Sequence, residues 1–457
     1  MAARPRKGSM LWPAVAAAFA DVSIVVLALP DVIGDLGTSI STASWVIIAY
    51  SLALLLTGVV LVRIGPGLEP RPAMIAGLVL FGVASLACGV AQGIGTLIVM
   101  RCVQGVGGGL LLGASLSIAG SSDGEPVETW ARVAAIGLAA GPAVGGVLTE
   151  FFDWRAIFLA QAPVAALALP AVSAWGRAGS AAPPPSASPR AAAVPLQTYA
   201  GLALLASALT CALFLVVLML IDVWGVAPIL AAVTMTAIPL ATLVVDRFGR
   251  SLPTAGGTVG AAAIAAGLLL LSLLSEERTI WLLVGLLLVG SGLGLAVPGL
   301  TRAALRAPGP PVAAAAKTVV AHEAGIVFVL LALTPILVAR LDQAPKKAVP
   351  KATEAVLAAP MPVALKLSLV PDLIADYEAG PAGRLPDFGP AFDRAATRTD
   401  GAGRSDLDGL HGELDSIVER TAASAFAVPL RLGACFALLA AVLLAVPAPP
   451  RRRRRSA

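Results

Sequence analysis

Apolar residues in this chain run together instead of recurring at helical or strand spacing. About twenty at a time are separated by short polar stretches. A helix rises 1.5 Å per residue, so about 20 residues cross ~30 Å of hydrocarbon. The pattern predicts twelve such helices, over 11–30, 43–62, 72–92, 95–119, 130–149, 155–175, 198–221, 226–245, 254–275, 280–300, 312–339 and 425–447. Arg4, Arg6 and Lys7 precede the first run, as in a secretory leader. That run reaches Pro30, beyond the ~7–15 residues of a leader's apolar core, so it reads as a retained helix.

Two polar segments interrupt the pattern. Residues 177–196 carry Pro183, Pro184, Pro185 and Pro189 and read as a flexible linker. Residues 340–424 form a long loop, within which Ala352–Tyr377 is apolar enough to pack as short helices on the outer face. The fold class expected is an all-α integral membrane protein of two six-helix bundles in pseudo-two-fold arrangement. The first half is 1–176. The second is 197–447 and includes the loop, and a basic tail follows at 448–457.

Composition removes the alternatives. The 457 residues are 58% hydrophobic and 13% charged, with a mean hydropathy of +0.89. A water-soluble domain carries roughly 25% charged residues. With the N-terminus placed in the cytoplasm, seventeen Lys/Arg fall on the inner side, and the short outer loops hold Arg155 and Arg278. This bias places the protein in the cell membrane with both termini inside, and it holds only for an even number of helices. The tail Arg451–Arg455 reads as a topology lock that attracts anionic headgroups, with no nucleic-acid partner expected.

Chemistry expected of an enzyme or an ATPase is missing from the sequence. The outer loop has one His, no Cys and no GxSxG, and no GxxxxGK[ST] phosphate loop occurs. No cofactor or metal is expected, and a proton gradient is the expected energy source. Cys88, Cys102, Cys211 and Cys435 lie in apolar runs and read as small buried hydrophobes. Arg63-Ile64-Gly65 and Arg247-Phe248-Gly249 occupy the second inner turn of their six-helix blocks, as two parallel repeats would.

Several stretches are more specific. Asp21-Val-Ser-Ile-Val-Val-Leu-Ala-Leu-Pro30 lies in the first helix, Trp45 to Tyr50 in the second, and Arg101-Cys-Val-Gln104-Gly105 in the fourth. Gly137-Leu-Ala-Ala-Gly141-Pro142-Ala-Val-Gly145-Gly146 lies in the fifth, and Asp153-Trp154-Arg155 with Phe158 opens the sixth. Together these resemble the major facilitator superfamily, specifically its drug/proton antiporter branches, where the fifth-helix element reads GxxxGPxxGG. The likeness is strong over about the first 175 residues and weaker beyond, where Asp246-Arg247-Phe248-Gly249-Arg250 carries it. In the loop after the second helix, Val62 stands where the family has Asp, and Pro66-Gly67-Leu68 replaces basic residues.

A carboxylate about ten residues into a membrane helix costs several kcal/mol unless it is paired or protonated. Asp21 is therefore either a proton carrier or a structural hydrogen-bonding group. Arg101 either snorkels to the outer interface or contacts substrate or a nearby carboxylate, with Gln104 beside it. Trp45 and Tyr50 are further candidates for substrate contact or coupling. His322 and Glu323 form a possible second protonation site, and adjacent helical residues point about 100° apart, so at most one faces a cavity squarely. The glycines and Pro142 of 137–146 permit close packing and bending, and the resemblance leans them toward export. Arg63, Gly65, Asp246, Arg247, Gly249 and Arg250 are candidates for a cytoplasmic gate, or for topology alone.

The resemblance implies a secondary transporter, working as a monomer by alternating access, that exchanges protons for hydrophobic or amphipathic small molecules. A dedicated exporter of one lipid or metabolite and a nutrient importer stay open, as does a transporter-like receptor acting through its outer loop.

Overall fold

The structure is a computed structural model, and it describes residues 11–119, 126–175, 194–249, 256–379, 388–397 and 401–446. The linker (bar its last residues, 194–196), the basic tail and Arg250 lie outside the described residues, as does the side chain of Arg247. Lipid offers no hydrogen bonds to a backbone, so membrane-spanning segments satisfy themselves as helices. Among the described residues no strand occurs.

The first half contains α1 (Trp12–Asp35), α2 (Ile40–Ile64), α3 (Pro70–Gly89), α4 (Ile94–Ala119), α5 (Pro126–Phe151), α6 (Ala156–Leu159) and α7 (Gln161–Trp175). The second half contains α8 (Leu196–Leu218), α9 (Pro228–Met235), α10 (Ala237–Gly249), α11 (Gly256–Leu271), α12 (Thr279–Leu305) and α13 (Pro311–Leu341). After these come α14 (Ala344–Ala358), α15 (Val363–Ala379), α16 (Gly389–Ala396) and α17 (Gly401–Ala445). Among the described residues, ten helical stretches are long and apolar enough to cross a membrane. Two shorter apolar stretches, Ala156–Val172 and Gly256–Leu271, sit where the sixth and ninth helices were expected.

Each half packs mainly within itself. In the first, α1 lies on α5, α4 on α2 and α3, and α3 on α7. In the second, α8 lies on α13 and α17, and α12 on α10 and α11. The halves meet along two seams, α2 against α13, and α5 against α9, α10 and α12.

The long loop is mostly helical. α14, α15, α16 and the first part of α17 enclose a core of Leu369, Phe388, Ala391, Phe392, Leu407, Leu410 and Leu414, distinct from the core of the membrane bundle. Arg394 on α16 bridges Asp372 at 3.3 Å and Asp376 at 2.8 Å on α15. Helix α17 has 45 residues, ~68 Å at 1.5 Å per residue. It runs without interruption from this module into the last membrane span.

The cysteines correct one expectation. Cys88 and Cys211 are buried, but Cys102 and Cys435 are exposed on the sides of α4 and α17. An apolar run in a membrane protein has two apolar destinations, the core and the lipid, and composition does not separate them.

Replacing Leu369 by Asp places an unpaired charge in the loop module, at a cost of several kcal/mol. Limited proteolysis of the Leu369→Asp protein in detergent is expected to cut faster within 344–424 and to leave the membrane-spanning fragments as resistant as in wild type.

Candidate functional site

Asp21 and Arg101 meet in the interior of the first half. Both are 0% exposed, and Arg101 Nη1 lies 2.5 Å from Asp21 Oδ2. The other contacts of the guanidinium hold it in place. Nε donates to the Val46 carbonyl at 2.9 Å, which ties α4 to α2. Nη1 also donates to Gln104 Oε1 at 2.7 Å, one helical turn away on α4. The rings of Tyr50 and Phe158 stand 4.3 and 5.5 Å from the guanidinium carbon, close enough for cation–π attraction.

A polar cluster surrounds the carboxylate. Gln161 Nε2, at the start of α7, donates to Asp21 Oδ1 at 2.8 Å. Gln104 Nε2 donates to Ser85 Oγ and Gln161 Oε1, both at 2.9 Å, and lies 3.3 Å from Asp21 Oδ1. Ser85 passes its own proton to the Phe81 carbonyl at 2.6 Å, and Tyr50 donates to the Ala18 carbonyl at 3.0 Å. Residues of five helices of the first half, α1, α2, α3, α4 and α7, therefore meet in one polar cluster.

A cavity opens between the halves. Leu138 and Pro142 of α5 face Leu205, Leu209 and Leu213 of α8, Ile238 of α10, Leu293 and Val297 of α12, and His322 of α13. It holds about 610 Å³ of empty space. A second lobe of about 380 Å³ shares Leu138, Leu202, Val297 and His322, and adds Phe19 and Trp130. The Phe19 ring sits edge-on to Trp130 at 5.0 Å and to His322 at 6.5 Å. Beyond Thr242 and Pro298 a third lobe is lined by Glu128, Arg132, Asp246 and Arg302. There Glu128 Oε1 accepts from Arg306 Nη2 at 2.8 Å, and Oε2 lies 3.5 Å from Arg302 Nε. These bridges join α5 to α12 at the end of the bundle where α1 begins.

Two aligned halves enclosing a central cavity, with charge sealed inside one of them, form a transporter's architecture. The family description that matches the chain is Major Facilitator Superfamily, over residues 11–330. The chain belongs to this superfamily. It is accordingly a multi-pass membrane protein of that superfamily. Puromycin resistance protein pur8 of Streptomyces alboniger is 40% identical over 159 residues, 33% of this chain and 31% of that protein. Cephamycin export protein CmcT of Amycolatopsis lactamdurans is 35% identical over 175 residues, 34% of this chain and 35% of that protein. The matched region thus spans about a third of the length of these curated relatives. A POT family transporter crystallised with 5-aminolevulinic acid superposes with a TM-score of 0.57 at 12% identity, covering 72% of this chain and 90% of that one. That likeness shows the shared fold.

Within the superfamily fold, the predicted residues fall in several separate places. Asp21, Arg101, Gln104 and Tyr50 come together, and Arg101 is sealed inside instead of reaching the interface. Trp45 does not join them. It is 43% exposed, while its neighbour Val46 supplies the carbonyl that holds Arg101. His322 lines the cavity and Glu323 lies behind it, buried. The motif glycines act through contact with α1 and α9. A Cβ at Gly137 would lie 2.4 Å from the Ala16 carbonyl oxygen, and one at Gly145 would lie 2.7 Å from that of Ile24. Gly141 faces Ser23, and Gly146 faces Ala232 of the other half. Pro142 lines the cavity itself.

The inner-end candidates are more scattered. Asp246 reaches the charged lobe, Arg63 is exposed, Gly65 packs near Val312 of α13, and Gly249 closes α10. Gln161, Ser85 and Glu128 were not singled out by sequence. Gln161 carries the one available signal, a polar side chain in the apolar run that follows Asp153-Trp154-Arg155. That triplet is itself structural. Trp154 Nε1 and Arg155 Nη1 both hold Asp35 Oδ2 at the end of α1, at 3.1 and 2.9 Å.

Removing one partner of a buried ion pair costs about 3–5 kcal/mol, because the other charge stays unpaired. Asp21→Asn and Arg101→Gln are each expected to lower the unfolding temperature in detergent. The Asp21→Asn/Arg101→Gln double variant is expected to recover most of that loss, as a thermal double-mutant cycle will show.

Proposed function

We propose that this protein exports hydrophobic or amphipathic small molecules across the plasma membrane in exchange for protons, by alternating access, with Asp21 as the leading proton carrier. The observation that carries this reading is the fully buried Asp21–Arg101 pair in a chain whose two halves leave an apolar cavity between them. Arg101 keeps its charge at all physiological pH values. When Asp21 takes a proton, the guanidinium loses its counter-charge and is left with Gln104, Val46 and two aromatic rings. The helices carrying these groups then have a second preferred arrangement. A proton gradient favours the two arrangements unequally on the two sides of the membrane.

Other features support the same reading. The cavity walls are largely Leu, Ile, Val and Pro, which suit lipophilic cargo. Relatives are named for antibiotic resistance and export. The basic bias places both termini in the cytoplasm, so the Glu128–Arg302–Arg306 bridges would close the cytoplasmic side and Asp246 would lie beside them. Arg63, Gly65 and Gly249 belong to the same end, as does the backbone at Arg247. Arg451–Arg455 would meet anionic headgroups there. The chain works as a monomer without a cofactor. A dedicated exporter of a single metabolite is the second reading, favoured by the relative named for cephamycin export.

The test is a liposome assay with an imposed proton gradient and an internal pH dye. Adding a panel of lipophilic drugs should move protons through wild type and not through Asp21→Asn. Proton movement that survives in Asp21→Asn would transfer the coupling role to His322 and Glu323. No movement with any compound would sink proton-coupled export.

A further inference from the structure

One helix of the loop module is apolar on two sides. The first side of α15 packs into the module's core through Leu369, with Leu365 and Leu373 beside it. The second side carries Val363, Leu367, Val370 and Ile374, which are 71%, 69%, 40% and 52% exposed. Spacings of four, three and four residues draw these side chains into one narrow ridge along the helix. Ala364, Ser368, Pro371 and Ala375 are also exposed, and each follows a ridge residue by one position. At about 100° per residue they form a furrow of small side chains beside the ridge. From 363 to 375 every exposed residue is uncharged. Lys366 donates to the Leu357 carbonyl at 2.6 Å, and Asp372 and Asp376 are held by Arg394 on the module's side.

A helix with two apolar sides has two partners to find, and one copy of the chain supplies one of them. A helix resting on a bilayer carries a broad apolar face, edged with Lys or Arg and set with Trp or Phe. This surface is narrow and has none of those residues. A ridge beside a furrow of equal length is complementary to itself. Turned antiparallel about residues 368–369, Val363 of one copy comes level with Ile374 of the other, and Leu367 with Val370. Each ridge then enters the other's furrow.

The membrane permits this pairing. α15 packs on α16 and runs lengthwise along neither α14 nor α17, so it crosses the line of the last membrane span. Two copies in one bilayer are related by an axis along the membrane normal, and that axis sets two crossing helices antiparallel. The segment 363–375 is ~20 Å of helix. A pair of them covers on the order of 1,000 Å² over both copies, the lower limit of a specific contact and short of the ~1,600 Å² usual for stable ones. Confinement to one membrane in one orientation raises the effective concentration of the copies and makes up the difference.

We infer that the outer face of α15 is a self-association surface, through which two copies of this chain pair outside the membrane. The module hangs from α13 and α17, both in the second half. Pairing therefore ties second half to second half and leaves the first halves free to move. Each copy keeps its own cavity and its own Asp21–Arg101 pair, so each still transports as one chain.

Disulfide trapping of the full chain in liposomes tests this, with Cys102 and Cys435, the two exposed cysteines, replaced by Ala. Ser368→Cys lies at the two-fold axis and should form a linked dimer on mild oxidation. Ala375→Cys lies in the same furrow, ~20 Å from its counterpart in the antiparallel pair, and should not. Energy transfer between donor-labelled and acceptor-labelled copies, followed across protein-to-lipid ratios, gives the strength of association. Leu367→Glu/Val370→Glu should weaken it by about tenfold or more, because it puts unpaired charge into an apolar contact. Both positions are exposed in the single copy, so proteolysis of 344–424 should match wild type and report an intact module. Equal trapping of the two cysteines, or energy transfer unchanged in the double variant, overturns the proposal. Quenching of a fluorophore on Ser368→Cys by brominated lipid assigns the face to the bilayer and overturns it as well. No step here involves transport, so the outcome is independent of the proton assay.

Discussion

A guanidinium cannot give up its charge, and Arg101 is placed where no water can share it. Several helices of the first half contribute contacts to that one group, although its Nη2 has no hydrogen-bond partner. Asp21 supplies the counter-charge from α1, Val46 a carbonyl from α2, Gln104 an amide from α4, and Tyr50 and Phe158 their ring faces. Ser85 and Gln161 complete the hydrogen bonds of Gln104 and Asp21. The glycine face of α5 lets α1 lie close enough for Asp21 to be fully enclosed. A buried pair of this kind adds little net stability, but losing either member is costly. The pair is therefore held by mutual dependence, each member keeping the other from standing alone in a low-dielectric interior.

The two halves are held together by different means. Between α2 and α13 the contact is apolar, with Gly58 facing Val320 and Gly65 facing Val312. Between α5 and α12 it is ionic, through Glu128 and the two arginines. Val62, in the last turn of α2, is apolar, so no charge pair can form from that position. The Glu128 bridges supply an ionic contact at the same end of the bundle, from a helix that also walls the cavity. Glu128 is 21% exposed on its side chain, so water screens the bridges and each is worth at most about 1 kcal/mol. A contact of that strength can open without unfolding anything.

The loop module adds a mechanical link. Because α17 is continuous, the last membrane span and the module's own core share one helix. Arg394 fastens α16 to α15, so the module moves as one body.

Hydropathy placed ten helices long enough to span the membrane and two shorter apolar ones, and identified Asp21 and Arg101 as residues too costly to be incidental. Those readings depend on free energies local to one segment, and a sequence carries them directly. Partnership is not local. Nothing along the chain says that Arg101 pairs with Asp21, eighty residues away, instead of snorkelling outward. Neutral polar residues such as Ser85 and Gln161 cost little in an apolar run and so give little signal. Trp45 and Tyr50 look alike as membrane aromatics, yet they lie five residues apart, about 140° around the helix, and packing sends one outward and the other to the buried pair. Electrostatic balance in a low-dielectric interior belongs to the assembled bundle, so only the tertiary structure decides it.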